Sequence, residues 1–299
     1  MIQSQLLILQ SKKPLSIISN KLYPTLSIVG EEDPSKYEHI APTVEDIDEK
    51  IKSIVDEQIL RDTYEQRKEA LENSQYKDIL SADPFSFNAS NAELFVDPLD
   101  GTRDFLENRL PNVTCLIGLT LDKVSKVGVI HSPFKDNEGV TPGSTYFGSL
   151  ETGLFEHLND DIKYIPPFEN EIEDPDAHKL SISVTVNRFN SQLQTMVDNL
   201  EPCEYIREGG CGRKCISVFE EKVDAFVYPQ RGMSGWDSCA PEALIKARLG
   251  SATDIQSLPF VYSKDMGKIN GIIITKTPQI HNIVTKRLKT FISALKATI

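Results

Sequence analysis

Two hydrophobic periods share this chain. Leu26 to Val29 is a short apolar run closed by Gly30, which predicts a buried strand. After the acidic, loop-like stretch 31–38, Thr43 opens a predicted helix with Asp46 as its capping-box partner. Ile47, Ile51, Ile54, Val55 and Leu60 place an apolar stripe on that helix, and the charges between them form a solvated face. Residues 61–92 are polar and weakly periodic, and read as helix and loop. The strand period then takes over. Glu93–Val96, Cys115–Leu121, Lys126–His131 and Ser144–Phe147 are apolar, β-branched runs punctuated by Gly, Pro and Asp, and Gly153–Leu158 pairs with the run before it. A Pro- and Glu-rich stretch, Tyr164 to His178, reads as a linker.

Beyond the linker, strands alternate with helices. Strands are expected at Leu180–Val186, Ala225–Tyr228 and Gly271–Thr275. Helices are expected at Asn190–Leu200, Arg213–Glu221, Cys239–Leu249 and His281–Leu295. The class is therefore α/β, with an α+β half over residues 1–165 joined to an α/β half over 176–299. No internal repeat interrupts it.

Composition narrows the function classes. The chain has 299 residues, 39% hydrophobic and 25% charged, enough apolar surface for a packed core. Asp and Glu number 44 against 32 Lys and Arg, a net charge of −12. That argues against a nucleic-acid polymer or an anionic membrane as partner. It leaves room for a small anionic substrate wherever divalent cations reverse the local field. The five cysteines lack C-x-x-C spacing and read as buried thiols; Cys211 and Cys215 stand one helical turn apart without further ligands nearby. Reduced thiols, no run long enough to span a membrane and no secretory leader pattern point to a cytoplasmic protein, a monomer or weak dimer. The sequons at Asn88 and Asn112 then carry little weight. His131 lies in a strand-like run and reads as structural.

The chemistry concentrates in acidic segments. Asp97 and Asp100 flank Pro98, which restricts Asp97 to an extended backbone, and Gly101 permits a sharp turn after them. Two carboxylates and the Leu99 carbonyl would then converge at a strand end beside Thr102, an all-oxygen set suited to Mg²⁺. An Asx-turn with a helix cap explains the same residues without a metal. Glu31 and Glu32 also follow a strand and a glycine, and Asp237 lies near a helix start, where the helix dipole alone would favour it.

Together, G-E-E-D at Gly30–Asp33, V-D-P-L-D-G-T at Val96–Thr102 and W-D-S-C-A-P-E at Trp236–Glu242 resemble the signatures of the inositol monophosphatase superfamily. The likeness is greatest to its bisphosphate nucleotidases. It continues through N-V-T-C-L-I-G-L (Asn112–Leu119), G-V-I-H-S-P-F (Gly128–Phe134) and G-G-C-G-R-K (Gly209–Lys214). The resemblance implies a layered αβαβα sandwich and a lithium-inhibited phosphatase using two or three Mg²⁺ ions. It implies Glu31, Asp97, the Leu99 carbonyl, Asp100 and Asp237 as metal ligands, and Thr102 as the hydroxyl that orients water. It places Gly101, Thr185, Gly209, Gly210 and Lys214 on the substrate. Arg188 stands where the nucleotidases carry a His, and a guanidinium there could grip a second phosphate bidentately.

One departure matters. The family's T-K-A-D-like segment supplies an Asp that pairs with the threonine, but no Asp precedes Glu31; the matching position falls in Gln5–Ile8. Truncation of a longer protein, compensation by Glu32 or a cation-activated water, and a weakened, ligand-binding descendant are the competing readings. The expected activity is hydrolysis of the 3′-phosphate of adenosine 3′,5′-bisphosphate to AMP. Inositol polyphosphate 1-phosphatase activity is the first alternative, and an inactive phosphate-ligand binder the second.

Overall fold

The computed structural model describes residues 27–31, 57–80, 83–85, 89–159, 161–169, 172–187 and 189–296. The helix expected from Thr43 lies outside them, except for Glu57–Leu60, which open helix α1 (Glu57–Glu72). Seven strands form the first sheet in chain order: β1 (Ser27–Gly30), β2 (Ala92–Asp100), β3 (Thr114–Leu121), β4 (Val124–Phe134), β5 (Pro142–Ser149), β6 (Gly153–Leu158) and β7 (Asp161–Ile165). β1 and β2 are parallel, and every later neighbour is antiparallel. A parallel pair needs a crossover, and α1 lies within it. The β2–β3 ladder slips between Asp97 and Asp100, where Pro98 offers no N–H.

The second sheet has five strands, β8 (Leu180–Thr185), β9 (Cys203–Glu208), β10 (Ala225–Met233), β11 (Ser251–Thr253) and β12 (Ile269–Thr275), in the order β11-β12-β10-β8-β9. The short helix α2 (Thr102–Leu106) follows β2. Helices α3 (Ser191–Asn199), α4 (Cys211–Phe219), α5 (Gly235–Ala247), α6 (Pro278–Arg287) and α7 (Lys289–Lys296) belong to the second half. α4 and α5 lie between the sheets, α5 against β2 to β6 on one side and β11 and β12 on the other. α3, α6 and α7 cover the far face of the second sheet. Helix, sheet, helices, sheet, helices is the expected layered sandwich. One core runs through it, from Phe95, Leu116 and Ile130 of the first sheet to Phe226, Ile272 and Ile274 of the second.

Several boundaries differ from expectation for local reasons. Tyr164 and Ile165 belong to β7 rather than a linker. β9, of sequence C-E-Y-I-R-E, has no apolar alternation because it is a half-exposed edge strand held by backbone pairing to β8. α5 starts a turn before the expected Cys239: Ser234 and Asp237 form a capping box, so Pro241 falls inside the helix. The terminal helix is two helices separated at Leu288.

α1 is stitched to the sandwich by the buried Arg67. Its guanidinium donates to the Leu150 carbonyl at 3.0 Å, the Ala247 carbonyl at 2.8 Å and the Tyr164 hydroxyl at 2.9 Å. It thus ties α1 to the β5–β6 turn, to β7 and to the C-terminal end of α5.

Candidate active site

The carboxylates meet where the slipped end of β2 faces the N-terminal ends of α4 and α5. Gly101 takes φ +84°, and a Cβ there would stand 2.9 Å from the Asn112 carbonyl oxygen, so the turn demands glycine. The turn folds back on itself. The Leu99 N–H donates to Asp97 Oδ1 at 3.0 Å, and Thr102 Oγ1 donates to the Leu99 carbonyl at 3.0 Å. Cys115 Sγ donates to the Pro98 carbonyl at 2.9 Å. Burial, with Asp97 and Asp100 nearby, pushes that thiol up to about 12, so Cys115 is a donor and not a nucleophile.

Asp97, Asp100 and Asp237 each offer an oxygen within 4.8 Å of the others. Burial comes first in raising Asp97 to about 9, and Asp100, Asp237 and Glu31 add to it. Burial also raises Asp237 to about 7, with Asp100 and Glu31 contributing against the Ser234 N–H that donates to it at 2.6 Å. Glu31, at the end of β1, lines the cavity into which the cluster opens. Asp100 is held differently. Its carboxylate accepts from the Cys211 N–H at 2.9 Å, the Gly212 N–H at 2.8 Å and Thr114 Oγ1 at 2.7 Å. Three of about four lone-pair directions are thus filled, which leaves one for a cation. Sequence reasoning missed Thr114 and this seat at the start of α4.

The cavity has a volume of about 680 Å³. Asp100, Gly101, Thr102, Thr185, Gly210, Lys214 and Asp237 line it, so most of the expected residues do converge. Gly209 is not part of the lining. The glycines are required by packing from behind. A Cβ on Gly209 would lie 2.1 Å from Asp104 Oδ2, and one on Gly210 would lie 2.5 Å from the Asn112 carbonyl oxygen. Lys214 is buried, donates to the Gly210 carbonyl and lies 5.0 Å from the centre of the Phe226 ring. An ammonium has three donors, so two remain for a ligand. Glu32 and Arg188 lie outside the described residues.

The opposite wall was not legible in the sequence. Phe226, Tyr228, Met233 and Trp236 present apolar faces, with Lys268 lying 5.3 Å from the Trp236 ring centre and donating to Ser234 Oγ. Phe226, Tyr228 and Met233 belong to β10 and Trp236 to the first turn of α5, and their spacing is that of ordinary core. His131 proves structural: its Nδ1 shares a hydrogen bond of 2.9 Å with Thr145 Oγ1, and burial lowers its pKa. No described helix is long and apolar enough to cross a membrane.

Comparison with known proteins agrees with this architecture. The chain is 30% identical over 284 residues to human 3′(2′),5′-bisphosphate nucleotidase 1, covering 92% of this chain and 79% of that one. It is 34% identical over 187 residues to the Dictyostelium discoideum protein of the same name, covering 61% of this chain and 59% of that one. The fold superposes on inositol monophosphatase II from Staphylococcus aureus with a TM-score of 0.58 at 14% identity, over 93% of this chain and 82% of the other. Residues 12–291 match the inositol monophosphatase family model, and the chain belongs to that family of phosphatases.

Proposed function

We propose that this phosphatase is Mg²⁺-dependent and removes the 3′-phosphate of adenosine 3′,5′-bisphosphate, giving AMP and inorganic phosphate. The observation that carries the reading is the carboxylate cluster, two of whose members, Asp100 and Asp237, line a cavity together with Lys214, Phe226 and Tyr228. An all-oxygen donor set in which burial, with neighbouring carboxylates, raises Asp97 and Asp237 fits a hard divalent cation. Glu31, Asp97, Asp100, Asp237 and the Leu99 carbonyl would hold it. Bound cations would neutralise the carboxylates, polarise the phosphate and make water more acidic.

The chain's own groups do the rest. Thr102 Oγ1 spends its proton on the Leu99 carbonyl, so its lone pairs can accept from the attacking water and aim it. The water oxygen bonds to phosphorus as its proton leaves to the base, the bond to the 3′-oxygen breaks, and that oxygen takes a proton from solvent water, to which the base returns its own. Glu32 is the proposed acceptor of the water's proton in place of the Asp absent before Glu31. Lys214 meets the second phosphate with charge, Thr185 contacts the nucleotide, Gly101 and Gly210 bring backbone close to the ligand, and Arg188 adds a bidentate grip. The names of the human and Dictyostelium relatives support the nucleotide as substrate. Likeness to inositol monophosphatase 3 of Danio rerio, 26% identical over 67% of this chain and 54% of that one, supports the inositol phosphate alternative.

The test is Mg²⁺-dependent phosphate release from adenosine 3′,5′-bisphosphate and from inositol 1,4-bisphosphate, with Asp97→Ala alongside. Preference for the nucleotide and loss of turnover in the variant are expected. Equal or reversed preference overturns the substrate. Equal turnover by parent and variant overturns catalysis at this site. Tight nucleotide binding without phosphate release makes the protein a binder.

A further inference from the structure

Asp104, on α2, is fully buried yet is no part of the metal cluster. Its Oδ1 accepts from Arg109 Nε at 2.7 Å and Asn112 Nδ2 at 2.9 Å, and its Oδ2 accepts from Asn187 Nδ2 at 2.7 Å. Asn187 is committed at both ends, because its Oδ1 accepts from Arg109 Nη2 at 2.7 Å. Its backbone carbonyl also accepts from Arg103 at 3.4 Å. A buried carboxylate needs hydrogen-bond partners of this kind, and here they come from both halves of the chain.

We infer that Asp104, Arg109 and Asn187 form a latch that fixes the end of β8, with Thr185 on the cavity wall, in register with the carboxylate-bearing turn after β2. Asn187, like Thr185, lines the cavity. One of its amide N–H groups and one lone pair are held within the protein, whereas Arg109 is not part of the lining, so Arg109→Ala separates positioning from direct contact with a ligand. Asp104 also packs against Gly209, where no Cβ fits, and through Asn112 it braces the Gly101 and Gly210 turns. Three of the segments that line the cavity, the turn after β2, the end of β8 and the start of α4, thus share one internal reference point. Asp104, Arg109 and Asn187 are positioning residues, and their effect falls on the part of the substrate away from the reacting phosphate.

The inference rests on the proposed phosphatase reading but not on the nucleotide. The test uses whichever bisphosphate the parent turns over faster, adenosine 3′,5′- or inositol 1,4-, and compares it with phenyl phosphate, which has no second anchor. In Asn187→Ala, KM for the bisphosphate should rise about tenfold or more with kcat held within about threefold, while kcat/KM for phenyl phosphate changes less than about threefold. Arg109→Ala, at the solvent rim, should give the same pattern with a smaller amplitude. Asn187→Gln, which keeps both amide functions, should recover part of the loss. Melting temperatures are measured for each variant, and Arg109→Ala carries the test if Asn187→Ala unfolds. Equal losses on both substrates, or a loss in kcat alone, overturn the latch. Equilibrium binding of the same bisphosphate is followed in parallel. A parent that binds without turnover overturns the phosphatase reading, and the latch then stands or falls on a tenfold weaker dissociation constant in Asn187→Ala.

Discussion

Helix α5 carries two buried carboxylates with opposite arrangements. Glu242, in its interior, has its counterion on the next turn: Lys246 Nζ lies 2.6 Å from Glu242 Oε1, and the pair is nearly sealed from solvent. Asp237, in the first turn, faces Asp97 and Asp100 and, among the described residues, receives the Ser234 N–H. Burial raises both pKa values; at Glu242 the hydrogen-bonded Lys246 opposes the shift, while at Asp237 Asp100 and Glu31 add to it and Lys268 opposes it without a hydrogen bond to the carboxylate. Glu242 has its cation within the protein at Oε1, although Oε2 is buried without a hydrogen-bond partner, whereas a carboxylate that faces its own kind is suited to an external cation. Burial alone does not tell a structural acid from a metal ligand, whereas the sign of its neighbours does.

The largest effect that would break this contrast is in turnover. Asp97→Asn should lower Mg²⁺-dependent kcat by more than about 10³-fold while the melting temperature without metal holds or rises, because a buried like charge has gone. An active Asp97→Asn would dissolve the distinction. At the Glu242–Lys246 pair the outcome reverses: Glu242→Leu, leaving Lys246 buried and unpaired, should cost about 3 kcal/mol in denaturant unfolding. Glu242→Leu with Lys246→Met should recover most of it, and no recovery would mean that the pair has further essential partners.

Magnesium sharpens the comparison. Asp97 and Asp237 bind protons more tightly folded than unfolded, so without metal their contribution is full below about pH 4 and is lost as pH rises toward about 9 and 7 respectively. Mg²⁺ should therefore raise the melting temperature more at pH 8 than at pH 5; at a hundredfold excess over its dissociation constant its total stabilisation is about 2.7 kcal/mol. Asp97→Asn should shrink that difference, and Glu242→Gln should not. The smallest effect is Thr102→Ala, about tenfold in kcat with KM held, restored in large part by Thr102→Ser. Loss in KM instead would place Thr102 on the substrate rather than on the water.

The cluster was legible through the family resemblance, carried by short local signatures; read one by one, the same residues left a turn and a helix cap open. D-P-L-D-G-T encodes a slipped strand end and a tight turn within six residues, and W-D marks the first turn of a helix. The layers were legible from the change of hydrophobic period. What escaped depends on distance or context. Asp104, Arg109 and Asn187 meet only when β8 is laid near α2, and nothing in their spacing announces it. Thr114 reads as an ordinary strand residue until its hydroxyl is found on Asp100. Pro241 suggested a helix beginning two positions earlier, and only the Ser234 capping box shows that the helix is already a turn and a half old. Phe226 and Tyr228 look like core in a pattern of apolar positions, and become a cavity wall because the cavity opens beside them.

The seating of Asp100 has a consequence for how this site is dissected by mutation. Because its carboxylate holds down the first amides of α4 as well as facing the cluster, replacing it by Ala removes a ligand and unmoors a helix at once. An alanine scan would rank it among the most damaging positions for reasons that mix chemistry with architecture. Asp97, which among the described residues accepts from its own turn, gives the cleaner reading of what the proposed metal site would contribute.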